Sequence, residues 1–160
     1  AEESHNSNRR RRQEGHTGQA AEMNQVTLTT VDGLEPRDML AIRSRLTKHG
    51  SDFQSEVSRV LEGESSSCTP ISVYHCDGAL VGWACSHIWN DMQTLEQFVD
   101  ERHRNSGKAT TLSSMLTSTR TIDTTKPLAV FSPVTALIAR KLGVLNIHEF
   151  ARSGSGWAEV

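Results

Sequence analysis

The sequence predicts an α+β (mixed α/β) domain built on a largely antiparallel sheet. Three observations carry this. VTLTTV (26–31) alternates apolar residues with threonine, the two-residue period of a half-buried strand. ISVYHC and ALVGWACSHIW flank Asp77-Gly78, a two-residue hairpin signal. After residue 109, apolar residues recur three and four apart, and these helical stretches alternate with a short apolar run and a final hairpin.

The first strand, Val26–Val31, turns at Asp32-Gly33. Met39, Leu40, Ile42 and Leu46 predict a helix that breaks at His49-Gly50. Ser51 or Asp52 can cap a second helix carrying Phe53, Val57, Val60 and Leu61 on one face. GESSSCTP reads as loop. The hairpin follows, and its second arm is expected to run unbroken through Trp89. Trp83 and Trp89, an even number of residues apart on that strand, would then face one side as core residues. Asn90-Asp91 turns the chain into a fourth strand, MQTLEQFV (92–99). Ala109, Leu112 and Leu116 predict a helix buried on one face, with outward Ser and Thr that favour helix only weakly. PLAVFS (127–132) is a short buried strand. Pro133 suits the first turn of a helix carrying Val134, Leu137, Ile138 and Leu142, and Gly143 stops it. NIHEFARSGSGWAEV reads as two strands around a Gly-rich turn, the second pinned by Trp157.

Residues 1–22 contain no Val, Ile, Leu, Phe, Trp or Tyr. Such a segment buries too little apolar area to offset its chain entropy, so it is expected to be a flexible polar tail before one domain at 23–160. Its Arg9–Arg12 block is balanced by Glu2, Glu3, Glu14 and Glu22. The net charge of −2 argues against a nucleic-acid partner, although the arginines could touch phosphates locally or dock the tail in a protein assembly. No apolar run approaches the roughly 20 residues of a membrane span. The three cysteines, Cys68, Cys76 and Cys85, lack CxxC spacing, which argues against a disulfide framework or a zinc site and points to an intracellular setting. No metal is expected.

RHRNSGKA (102–109) is the stretch that points to chemistry. If Val99 ends a strand and Gly107 lies in the first turn of the next helix, the amides of Asn105 to Ala109 have no intrahelical carbonyl to meet. They would converge with the positive end of the helix dipole, and Arg104 and Lys108 add charge. A diphosphate suits that arrangement. Gly107 admits a ligand oxygen close to the main chain, and Ala109 keeps the next turn low. The alternative is an ordinary strand-to-helix turn with solvated charges. Neither GxxxxGK[ST] nor GxGxxG is present.

Arg104-Asn105-Ser106-Gly107-Lys108-Ala109 resembles the Arg/Gln-x-x-Gly-x-Gly/Ala pyrophosphate loop of the GNAT superfamily of acyl-CoA N-acyltransferases. Val99 stands five residues before Arg104, as in that family, and ARKLGV (139–144) resembles its Leu-Gly segment with Val144 in the aromatic place. The resemblance covers roughly residues 26–160. It implies a twisted sheet splayed between the fourth and fifth strands, with about four flanking helices. It also implies acetyl-CoA as cosubstrate and acetyl transfer to an amine. The main chain near Phe98 and Val99 would hold the pantetheine arm, and Arg104 to Ala109 the pyrophosphate.

For the proton acceptor the resemblance favours Glu96 on the fourth strand. His87 and His103 are alternatives because histidine titrates near neutrality. The family's general-acid tyrosine falls at Ala139, and the lone tyrosine, Tyr74, lies on the second strand. Ser132 holds the place of a family CoA-contacting asparagine. The missing tyrosine keeps open a second reading, a catalytically inactive GNAT-fold structural or interaction protein such as a phage virion component. Residues 49–52 and the SGSG turn would govern acceptor choice.

Overall fold

The computed structural model describes residues 23–49 and 69–160. The polar tail, Cys68 and the helix expected over Phe53–Leu61 lie outside the described residues.

Strand β1 (Asn24–Thr30) pairs antiparallel with β2 (Pro70–Cys76), setting Val26 opposite Tyr74 and Leu28 opposite Ser72. The strand ends one residue earlier than its alternation suggests. Val31 opens a 3-10 turn, Val31–Gly33, where its side chain is buried and its amide donates to Thr69 O at 3.0 Å. Helix α1 (Pro36–His49) begins at a proline, whose missing N–H is no loss in a first turn. Asp77 and Gly78, with φ of 51° and 83°, form the two-residue turn between β2 and β3 (Ala79–Cys85). Both residues take φ > 0 because that turn matches the strand twist.

Strand β3 is buried on both faces. Leu80, Trp83 and Cys85 join Ile42, Ile71, Val73 and Phe98 beneath α1. Val81 and Ala84 join Leu112, Leu116, Leu128, Val130 and Ala139 on the other face. That second layer is covered by α2 (Lys108–Ser118), whose approach is close. Ser72 Oγ donates to Leu112 O at 2.9 Å, and a Cβ on Gly82 would stand 2.6 Å from Phe98 O and 3.3 Å from a Leu112 methyl.

Two expected strands are broken in the structure. The third does not run through Trp89: β3 stops at Cys85, and a separate β4 (Ile88–Trp89) begins beyond Ser86-His87. The fourth divides at Leu95 into β5 (Met92–Thr94) and β6 (Glu96–Val99). Both breaks lie at one level because the hairpin passes there from one sheet to another. The first sheet has order β1-β2-β3-β6. The second adds β7 (Leu128–Val130), β8 (Ile147–Ser153) and β9 (Gly156–Glu159) in the order β4-β5-β7-β8-β9. Thr94 N donates to His87 O (2.9 Å) and His87 N to Thr94 Oγ1 (3.2 Å), which clamps the crossing. Trp83 and Trp89 therefore do not share a strand face. Trp83 stacks on Phe98 with centroids 4.7 Å apart, while Trp89 meets Phe131 and Phe150 edge-on in the second sheet. Trp157 packs against Phe131 and pins β9.

The remaining connections follow their local chemistry. Strand β7 lies parallel to β5 and β8, whereas β8 and β9 form an antiparallel hairpin. Helix α3 (Pro133–Lys141) is capped by Ser132, whose Oγ accepts from Thr135 N at 3.2 Å, and ends before Gly143 at φ 86°. Three α-helices are present among the described residues, and none is long and apolar enough to cross a membrane.

Candidate active site and coenzyme cleft

The site begins where the sheets part. Gln93 opposes Leu128, Thr94 opposes Ala129, and Leu95 N donates to Ala129 O at 3.3 Å. Beyond Leu95, β6 pairs with β3 alone. Among the described residues no strand pairs with the other edge of β6, which leaves a gap between β6 and β7. Asp100 N donates to Val81 O at 2.8 Å, and bonded and non-bonded pairs alternate along an antiparallel ladder. Glu96 and Phe98 thus turn their main-chain groups to β3, whereas Gln97 and Val99 turn theirs to the gap. The Phe98 main chain thus pairs with Trp83, and its ring stacks on the Trp83 ring.

Residues 101–107 follow β6 at its end away from Leu95, taken as the wide end of this gap. A 3-10 turn, Glu101–His103, leads into Arg104, and Asn105 and Gly107 both take left-handed backbone, φ 60° and 81°. Glycine adopts that conformation without the clash a Cβ brings. The first intrahelical bond of α2 is Thr111 N to Gly107 O, at 3.0 Å, and no side chain caps the helix. The amides of Gly107, Lys108, Ala109 and Thr110 thus open the helix without an intrahelical acceptor. A Cβ on Gly107 would meet no atom within 4 Å, so the glycine borders open space.

The flanking side chains also make contacts within the fold. Arg104 folds back: its Nε donates to Val99 O at 2.8 Å, and its guanidinium lies 5.7 Å from the Phe98 ring centroid. It braces the loop against β6. Lys108 Nζ donates to Ser106 Oγ at 3.1 Å and stands 5.4 Å from the centroid of Tyr74, which explains the placement of that tyrosine under the loop. Ser106 Oγ in turn donates to His103 O. Asp100, just after Val99, takes a two-point bond from Arg45 on α1, Nε to Oδ1 at 3.0 Å and Nη2 to Oδ2 at 2.7 Å. The hydrogen bond that Arg45 donates to Asp100 raises the Arg45 pKa above its ordinary value. This pair fixes the end of β6 against α1.

At the narrow end, two of the three base candidates come together. Glu96 is buried, and its Oε1 lies 3.5 Å from His87 Nδ1. Cys85 Sγ stands 3.5 Å from Oε2, and Thr94 Oγ1 is 2.9 Å from His87 Nδ1. The crossing between sheets creates this cluster, since it carries His87 and Thr94 onto the Glu96 side of β6. His103 sits instead in the 3-10 turn at the other end of the strand. Ala139 is wholly buried in the core and offers no donor, and Ser132 is occupied as the α3 cap. Among the described residues no group of three or more His, Cys, Asp or Glu could hold a metal ion.

Sequence reasoning missed a second polar group. Ser113 Oγ lies 2.8 Å from both Gln97 Oε1 and Ala109 O, Gln97 Nε2 is 3.5 Å from Thr135 Oγ1, and Thr135 Oγ1 lies 2.8 Å from Ser132 Oγ. Helical spacing gave one usable signal, because Ser113 stands four residues after Ala109 on the face that meets the sheet.

No protein-family model matches the sequence, and no curated protein does. Solved structures do. An aminoglycoside N-acetyltransferase, AAC(6′)-Iy, in complex with CoA superposes with a TM-score of 0.51 at 16% identity, over 79% of this chain and 90% of that one. The chain has the GNAT fold. The Escherichia coli ribosomal-protein-S18-alanine N-acetyltransferase is 15% identical over 81% of this chain and 69% of its own, with a TM-score of 0.44. A ribosomal-protein-alanine N-acetyltransferase from Brucella melitensis is 21% identical over 74% and 86%, with a TM-score of 0.43.

Proposed function

We propose that this chain is a GNAT-like N-acetyltransferase that moves the acetyl group of acetyl-CoA to an amine. The observation that carries this is the open, uncapped start of α2 beside an unpaired strand edge. Helix N-terminal amides with no internal partner suit a phosphate, and the left-handed Gly107 keeps them clear of a side chain. The amides of Asn105 to Ala109 would hold the pyrophosphate, with Lys108 adding charge. Gln97 and the Val99 N–H would hold the pantetheine arm in the manner of a missing strand, the Val99 carbonyl being taken by Arg104. The fit is good in charge, in donor supply and in access.

The chemistry would take place at the narrow end. The amine nitrogen attacks the thioester carbonyl, the new C–N bond forms, and the C–S bond breaks with its electron pair going to sulfur. The proton of the nitrogen must go to a base. Glu96, with His87 3.5 Å away, would accept it, directly or through water. Burial of both groups shields them from bulk solvent and strengthens their mutual interaction.

Calorimetry with acetyl-CoA, followed by thiol release across a panel of amines, tests this reading. Binding and turnover are expected. Absence of heat from the unmodified protein would sink it, and binding without turnover on any amine would favour a non-catalytic GNAT-fold protein.

A further inference from the structure

An aromatic cluster on the second sheet has no part in holding phosphate or taking a proton. Trp89 meets Phe131 and Phe150 with ring centroids 5.2 and 4.9 Å apart, and Phe131 lies 5.0 Å from Trp157. Among the described residues, none of the four rings belongs to either hydrophobic core. Phe150 is buried, whereas Trp89, Phe131 and Trp157 are only half-buried and keep part of their surface accessible. Contiguous apolar surface of this kind marks a place where a ligand or partner is received.

Strand register sets this cluster beside Glu96. Directly paired residues of neighbouring strands share a face, and each face recurs every second residue. Thr94 opposes Ala129, which opposes His148. Two residues on along each chain segment come Glu96, Phe131 and Phe150. All three therefore lie on one face, and Phe131 stands across the gap from Glu96. Trp89 opposes Met92, and Trp157 opposes Arg152, which places both indoles on that face as well. The ring contacts agree with this count. Leu112 and Leu116 of α2 and Ala136 of α3 pack with Leu128 and Val130 on the opposite face.

Charge is unevenly spread along this face. Glu96 holds the end at the gap. At the far end Arg152 lies over Trp157, its guanidinium carbon 5.0 Å from the ring centroid, and Glu159 is 2.5 Å from His148. Between the two ends stand the rings of Phe131, Phe150 and Trp89. An ammonium group is drawn toward Glu96. A second cation farther along would leave water for apolar surface and meet the like charge of Arg152.

Resting on the proposed function, we propose that the acceptor is a monoamine carried on an aromatic body, whose ring packs on Phe131 and its neighbours while the amine meets Glu96. Phe131, across the gap from the base, is the residue that selects it. An incoming ring extends the edge-on contacts these residues already make with one another. The wall contributes no atom to the reaction. It binds the body of the acceptor and so holds the nitrogen at the narrow end of the gap, where orientation lowers the barrier.

Thiol release from acetyl-CoA with 2-phenylethylamine, ethylamine and spermidine tests this. The unmodified protein is expected to favour 2-phenylethylamine over ethylamine by roughly 100-fold in kcat/KM, within the range that added apolar groups give in a pocket. It should also favour 2-phenylethylamine over spermidine. Phe131→Ala should cut the ratio of 2-phenylethylamine to ethylamine by about tenfold, chiefly through KM for the aromatic amine. Phe131→Leu keeps apolar volume without the ring, should lower the ratio by less, and stands in if Phe131→Ala does not fold. Calorimetry with acetyl-CoA reports whether each variant keeps its coenzyme cleft. Equal kcat/KM for 2-phenylethylamine and ethylamine, a preference for spermidine, or a ratio that both variants leave unchanged overturns the aromatic acceptor and leaves acetyl transfer standing. If the unmodified protein binds no acetyl-CoA or turns over no amine, the acetyltransferase reading itself falls, and the aromatic acceptor falls with it.

Discussion

Gly107→Glu is the perturbation that most directly probes the α2 opening. The new carboxylate would enter space in which no atom lies within 4 Å of the Cβ, at the start of a helix whose first four amides have no intrahelical acceptor. A phosphate charge about 5 Å from it, at an effective dielectric of about 20, is repelled by about 3 kcal/mol. That corresponds to CoA affinity lower by roughly 100-fold or more. Stability changes in two opposed ways. The left-handed φ of 81° costs about 1–2 kcal/mol with any Cβ, while an anion at a helix N-terminus returns about 0.3–1 kcal/mol. Gly107→Ala shares the backbone strain but not the charge, so it separates the two effects. The assay is calorimetric titration with CoA and with pantetheine, which lacks the diphosphate, alongside thermal melts. Gly107→Glu should lose CoA and keep pantetheine, and Gly107→Ala should keep most of both. Equal loss of the two ligands, or undiminished CoA affinity in Gly107→Glu, would refute the assignment of the phosphate to this helix.

Three further outcomes are expected. Glu96→Gln should lower kcat by about 10²- to 10⁴-fold with CoA affinity unchanged. It is read by thiol release with any amine the unmodified protein accepts, and a change below a few-fold would move the base elsewhere. Gly82→Ala should destabilise the fold by about 1–3 kcal/mol in denaturant titration, because its Cβ would stand 2.6 Å from Phe98 O beneath α2. Asp123 is held below the usual 3.8 first by the Thr125 hydroxyl and next by the Thr125 amide. A folded pKa below the unfolded one means its stabilising effect is present above about pH 4 and lost as pH falls through the lower folded value. Thr125→Val should bring the Asp123 carboxyl back toward 3.8 in an NMR titration.

What could be read from the chain was local. Asp77-Gly78 carries its own turn chemistry, Pro133 and Gly143 mark the ends of α3, and the apolar spacing of Leu112 and Leu116 marks the buried face of α2. The glycine loop was legible for the same reason: which amides lack a partner at a helix start depends on the helix start alone. The resemblance added the splay and the place of Glu96. Trp89 shows where such reading stopped. Nothing in ACSHIW marks the point at which a continuous apolar run leaves one sheet for another.

By itself, then, the sequence determined the element order, the turns, and the backbone donors at Gly107, all of which act over a few residues. Only the tertiary structure decided that the hairpin changes sheets at His87 and Leu95, which places the imidazole beside Glu96. It alone turned Arg104 back onto Val99 and joined Gln97 to Ser113 and Thr135, residues 16 and 38 positions away. The physical reason is range. A side chain's partner across a gap is set by strand register and by where the sheets part, and both follow from packing the whole core rather than from any short segment.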